Sequence, residues 1–114
     1  MDALVEASCL HAPDLEHLSS HEVALLLEQF PQWKLVEEGR AIARRFVFLS
    51  FQEMVTFVNG VFWVANDQQH HPHLEVGYDH CTVRWTTHAL SGLSRNDFIC
   101  AAKVEVLGDA SAVG

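Results

Sequence analysis

Five of the chain's eight histidines fall in one stretch, QQHHPHLEVGYDHCTVRWTTH, residues 68 to 88. Unperturbed imidazole titrates at about 6.5, so such a cluster can ligate a metal, move protons or simply face solvent. A metal site would use His71 and His73, two apart on an extended segment, with His88 as a third ligand. Pro72 between the first two, and the lack of an HExxH helix or a cysteine set, count against it. Proton transfer asks for less. Neutral imidazole accepts and imidazolium donates, so His70, His71 and His88 around a small molecule could take one proton while delivering another. His73 and His80 fall where a solvated strand position or turn is expected, and His11, His17 and His21 read the same way. Covalent catalysis has weaker candidates: Ser91 lacks a GxSxG elbow, and Cys81 falls in mid-strand rather than at a helix N-terminus.

Residues 70 and 71 can meet residue 88 only if the chain between them doubles back. HLEVGYDHCTVRWTT has the pattern for that hairpin. Leu74, Val76 and Tyr78 alternate with His73, Glu75 and Gly77; Cys81, Val83 and Trp85 alternate with Thr82, Arg84 and Thr86. Antiparallel pairing sets the start of one strand beside the end of the other. His70 and His71 are therefore expected to face His88 at one rim, flanked by Tyr78 and Trp85. A second hairpin, Trp33–Val36 and Ala41–Phe48, turns at EEGR, with Ile42, Phe46 and Phe48 sharing parity.

Three helix starts use one device. Ser19 with Glu22, Ser50 with Glu53 and Ser94 with Asp97 each read as a capping box, and Leu18–Val23, Leu49–Met54 and Leu93–Phe98 as the accompanying staples. The first helix should run from Ser20 to Phe30, burying Val23, Leu26, Leu27 and Phe30 and stopping at Pro31. The second should run from Phe51 to Ala65, burying Phe51, Met54, Val55, Val58 and Phe62, with Val61 at the margin. The third should run from Arg95 to Leu107, with Phe98, Ile99, Ala102 and Val106 inward, ending at Gly108. The order is α-β-β-α-β-β-α, an α+β fold in which three helices pack on one face of a four-stranded antiparallel sheet. Residues 18–107 form the single domain. Residues 1–17 and 108–114 show no strong period and are expected to be poorly ordered tails.

Composition narrows the function classes. The chain has 114 residues, 49% of them hydrophobic, enough for one buried core. A net charge of −8 with only seven Lys and Arg disfavours nucleic acid and other polyanions as partners. Cys9, Cys81 and Cys100 are odd in number and contain no CxxC, which fits a reducing compartment better than a disulfide framework. The acidic N-terminus lacks the pattern of a secretory signal. The most apolar stretch, residues 46 to 66, is interrupted by Gln52, Glu53, Asn59 and Gly60, too polar to span a bilayer. A cytoplasmic protein is expected.

HHPHLEVGYDHCTVRWTTHALSGLSRND closely resembles the signature of the pterin-4a-carbinolamine dehydratases, also called 4a-hydroxytetrahydrobiopterin dehydratases. His70, His71, Pro72, Tyr78, Thr87, His88, Gly92, Leu93, Ser94 and Asp97 stand in its register, and the likeness spans roughly residues 18 to 107. The resemblance implies dehydration of a 4a-hydroxytetrahydropterin to the quinonoid dihydropterin in tetrahydrobiopterin recycling, without cofactor or metal. It implies His70, His71 and His88 as catalytic residues, with His70 and His88 the acid/base pair and His71 also holding substrate. Pro72, Tyr78 and Thr87 are implied in substrate binding. Asp97 also matches, although its capping box accounts for it without a catalytic role. Asn66 stands where many members carry an acid, with Asp67 beside it, and Gln69 and Leu74 also depart from the pattern. Homodimers or homotetramers are usual in the family. Its animal members also serve as dimerisation cofactors for a homeodomain transcription factor, so an interaction module is the rival reading.

Overall fold

A computed structural model of the chain describes residues 2–11 and 13–111. Its elements are α1 (Asp2–Glu6), α2 (Ser20–Leu27), β1 (Lys34–Val36), β2 (Ala41–Val47), α3 (Phe51–Gln68), β3 (His73–Val76), β4 (His80–Trp85) and α4 (Arg95–Ser111). From α2 onward the order is the expected one. The four strands form one antiparallel sheet in the order β1-β2-β4-β3, so the central pair joins the two hairpins.

Strand register decides the two faces. Ile42 pairs with Trp85 and Phe46 with Cys81, which puts them with Val83 on the side that α3 and α4 cover, and all five are fully buried. Arg45, Glu75 and His73 alternate onto the opposite side, which is exposed. Arg44 shares the covered side. Its guanidinium lies 4.1 Å from the centre of the Phe46 ring and pairs with Glu105 of α4. Glu105 also accepts from Trp33 Nε1 at 2.6 Å, so this half-buried charge pair carries extra bonding.

The serine caps form in part as the sequence predicts: the first box closes from both sides, the second and third from one side each. Ser19 and Glu22 make a complete box, and the Glu22 carboxyl is held below its ordinary value first by the Ser19 backbone N–H and then by its hydroxyl. Ser50 Oγ accepts from Glu53 N at 3.1 Å. After Leu27 the chain continues through single turns that place Phe30 in the core, its ring 5.7 Å from Phe98.

Three expectations change. The segment before Leu18 carries α1, whose Leu4 is buried against the core. Along α3 the buried stripe is Met54, Phe57, Val61, Ala65 and Gln68, whereas Phe51 and Phe62 point to solvent. Apolar residues ring most of this helix, so its pattern has no single phase. Phe57 decides it by stacking 4.5 Å from Phe46 and 5.1 Å from Phe48. On α4, Val106 is exposed and Val104 is buried in its place. The helix passes Gly108 to reach Ser111; residues 112–114 of the expected tail lie outside the described residues.

Candidate active site

His70 owes its position to an abrupt helix end. Gln69 takes the left-handed conformation, φ 53° and ψ 41°, which costs a non-glycine residue roughly 1 kcal/mol. His70 N then reaches back to Ala65 O at 3.2 Å, closing a six-to-one helix-ending bond, while the Gln69 side chain donates to Asn66 O at 2.7 Å. The turn drops the imidazole onto Trp85, the last residue of β4. The two rings are nearly parallel, 8° apart, with centres separated by 5.5 Å.

His70 Nε2 lies 2.7 Å from Asp97 Oδ1. A carboxylate only accepts, so Nε2 carries the hydrogen. In the neutral ring this leaves the lone pair on Nδ1. Asp97 is fully buried, and its other oxygen is equally committed: Oδ2 accepts from Thr87 Oγ1 at 2.8 Å and from Ser94 N at 3.0 Å. Three donors therefore offset the burial of one carboxylate. Ser94 Oγ, 2.7 Å from Thr87 Oγ1, accepts from Asn96 N at 3.2 Å. The third capping box thus serves two purposes: Asp97 caps its own helix through Ser94 N and orients His70. Sequence reasoning assigned Asp97 to the cap alone. Its match to the family signature was the signal that could have revealed the second use.

The hairpin register explains how distant residues converge. The last β3–β4 pair is His73 with Arg84; His70 and Thr87 each stand three residues beyond it, and both reach Asp97. His88 follows Thr87 on a single 3-10 turn, His88–Leu90, which Ser91 ends in the left-handed conformation at φ 49°. A bridge between Thr87 and Gly92 ties that loop at its base. His71 and His88 are both exposed, so the rim presents two accessible imidazoles beside a buried, carboxylate-held one.

Two expected contributors fall elsewhere. Tyr78 is exposed at the hairpin tip between β3 and β4, at the opposite end of β3 from His70 and His71. Thr87 is buried, with its hydroxyl committed to Asp97 and Ser94, its N–H to Gly92 O and its carbonyl to Leu90 N. Its hydroxyl helps to hold Asp97. Pro72 is half-buried between His71 and His73. Among the described residues no group of three or more His, Cys, Asp or Glu side chains is placed to hold a metal ion, including the considered set of His71, His73 and His88.

The N-terminal segment braces this rim from behind. Cys9 N donates to Gln68 Oε1 at 2.8 Å, and Leu10 exchanges two bonds of 2.9 and 2.7 Å with the Asn96 amide, beside Asp97. Leu18 N bonds Leu93 O at 2.9 Å, and the His17 ring lies so close over Gly92 that a Cβ there would meet it at 2.3 Å. A larger residue there would displace the exposed His17 ring. A hollow of about 750 Å³ between this segment, α2 and the start of α4 is lined by Leu10, Leu18, Leu25 and Ile99, and none of the three histidines borders it.

The family model for pterin 4 alpha carbinolamine dehydratase matches residues 16–107. A protein of Legionella pneumophila strain Corby named "Putative pterin-4-alpha-carbinolamine dehydratase" is 50% identical over 91 residues, 79% of this chain and 80% of that one. One of the same name from Xanthomonas campestris pv. campestris strain 8004 is 47% identical over 107 residues, covering 93% and 91%. The crystal structure of a transcriptional coactivator/pterin dehydratase from Brucella melitensis superposes with a TM-score of 0.78 at 26% identity, over 82% of this chain and 99% of that one. A pterin dehydratase-like RuBisCO assembly factor of the alpha-carboxysome shares the fold at a TM-score of 0.60 and 18% identity, over 68% and 89% of the two chains. With residues 16–107 matched by the family model and relatives about half identical over most of its length, the chain belongs to the pterin 4 alpha carbinolamine dehydratase family.

Proposed function

We propose that the chain is a hydro-lyase that dehydrates a 4a-hydroxytetrahydropterin to the quinonoid dihydropterin by histidine acid/base catalysis, in the recycling of tetrahydrobiopterin. The observation that carries this reading is His70 held through Nε2 by the buried Asp97, with the neutral ring's lone pair left on Nδ1. One imidazolium protonates the departing 4a-hydroxyl while the N5 electron pair forms the new double bond, and a neutral imidazole takes the proton from nitrogen. His70 and His88 are the pair, and exposed His71 binds the pterin. Such positioned proton transfer contributes about 10²–10⁴-fold. That suffices for a dehydration that also proceeds unaided.

Stopped-flow decay of 4a-hydroxytetrahydropterin with and without the protein tests the reading. Faster decay that survives exhaustive chelation is expected. Equal rates would remove the dehydratase assignment, and a loss restored by zinc would replace acid/base chemistry with a metal site.

A homodimer or homotetramer, built through the outward stripe of α3, belongs to the same proposal. Phe51, Phe62 and Trp63 there are 61%, 55% and 73% exposed, more apolar surface than a lone chain needs on one helix. No helix among the described residues is long and apolar enough to cross a membrane, and we place the chain in the cytoplasm. The Brucella melitensis title also names a coactivator role. A binding role here would not need the histidines, so partner capture by the His70→Ala chain separates it from catalysis.

A further inference from the structure

A second cluster of reactive side chains lies behind the His70–Asp97 pair, and the acid/base chemistry uses none of it. Cys9 Sγ and Cys100 Sγ are 3.6 Å apart and share a thiol hydrogen bond. The residues stand 91 positions apart in sequence: Cys9 is half-buried in the extended segment after α1, and Cys100 is buried in the second turn of α4. Their contact is held from both sides. Cys9 N is bound to Gln68, Leu10 to Asn96, and Lys103 Nζ donates to Val5 O at 2.7 Å. Cys9 Sγ itself lies 3.8 Å from Asn96 O.

We propose that Cys9 and Cys100 form a dithiol–disulfide couple that closes by exchange with a low-molecular-weight disulfide and covalently ties the N-terminal segment to α4. The Cys9 thiolate attacks one sulfur of the small disulfide, forming a mixed disulfide and expelling one small thiolate. That thiolate takes the proton of Cys100, whose sulfur then attacks Cys9 Sγ and expels the second. Two protein thiols are oxidised by two electrons, and one small disulfide is reduced to two thiols.

The order of attack follows from the environment of each sulfur. Cys9 is the accessible one, and the hydrogen bond from the Cys100 thiol holds it below its ordinary value, against the opposing effect of burial. Cys100 is raised by the same hydrogen bond and then by burial, so it waits; the mixed disulfide removes the Cys9 thiolate that opposed its ionisation. Reaching a bond of about 2.05 Å requires the sulfurs to close by roughly 1.5 Å. Cys9, outside any helix or strand, is the side free to make that movement. Cys81 takes no part: it is buried in mid-strand, and desolvation pushes its thiol up to about 11.

The test is to incubate the reduced full chain with oxidised glutathione, quench in acid and map the peptides by mass spectrometry. Free thiols should fall from three to one. A Cys9–Cys100 peptide lacking two hydrogens should appear, with no retained glutathione and no cross-linked dimer. Cys100→Ser should instead keep glutathione on Cys9, and Cys9→Ser should take up none. A lasting adduct on Cys9 of the unaltered chain, a bridge between two chains, or three thiols still free would each overturn the proposal. Should Cys100→Ser fail to fold, the wild-type map and Cys9→Ser decide it alone.

Discussion

His70 gives one nitrogen to buried Asp97, whereas His88 is exposed on a single 3-10 turn. The proposed mechanism assigns these two imidazoles opposite roles, one as acid and one as base. His70→Ala and His88→Ala should each lower kcat/KM by about 10²–10⁴-fold, the usual worth of a positioned acid or base. His73→Ala and His80→Ala should leave the rate nearly intact. His73 faces the uncovered side of the sheet, and His80 pairs with Asp79 at the far tip of the hairpin. Steady-state kinetics of the four variants checks this, and equal losses at all four would refute it. Because one group must be protonated and the other neutral, kcat/KM corrected for uncatalysed decay should be bell-shaped in pH. His88→Gln keeps hydrogen bonding but cannot titrate, so it should flatten one limb and spare the other. A profile unchanged in that variant would leave His88 only a binding role.

At the scale of elements, the site is a junction between the end of β4 and the start of α4, fastened through Thr87, Ser94 and Asp97. Thr87→Val keeps the shape and removes the hydroxyl, leaving Asp97 with one donor fewer and Ser94 without its acceptor. Urea unfolding should show a loss of about 1–3 kcal/mol, and kcat should fall as His70 loses its fixed support. Stability unchanged in that variant would mean the hydroxyl pair contributes nothing. The phase of α3 is tested in the same way. Phe57→Ala should cost about 3–5 kcal/mol and Phe62→Ala less than about 1, because only Phe57 meets Phe46 and Phe48. The reverse ranking would restore the face read from the pattern alone. Caps and strands were legible because each depends on neighbours within about four residues. The stripe of α3 was not, since apolar residues on several faces leave the choice to what packs against them.

For the whole molecule, the outward stripe of α3 sets the expected assembly. Trp63→Glu puts a charge at its most exposed aromatic, 73% accessible, and should shift the light-scattering mass towards that of one chain of 12.8 kDa without altering far-UV circular dichroism. An unaltered mass would locate the interface elsewhere. The sequence by itself determined the α-β-β-α-β-β-α order, the two hairpins and the serine N-caps, and it set the expectation that His70, His71 and His88 share one rim, since period, capping chemistry and antiparallel register are local rules. Only the tertiary structure decided that Asp97 turns from its cap to hold His70, that Thr87 is consumed in doing so, and that Tyr78 stands at the far tip of the hairpin. It also decided that Cys9 and Leu10 pack behind the site against Gln68 and Asn96, which brings Cys9 to Cys100. Those choices depend on which buried donor lies nearest to which acceptor once the layers close. A carboxylate 27 residues from its imidazole, or a thiol 91 residues from its partner, leaves no periodic trace in the chain.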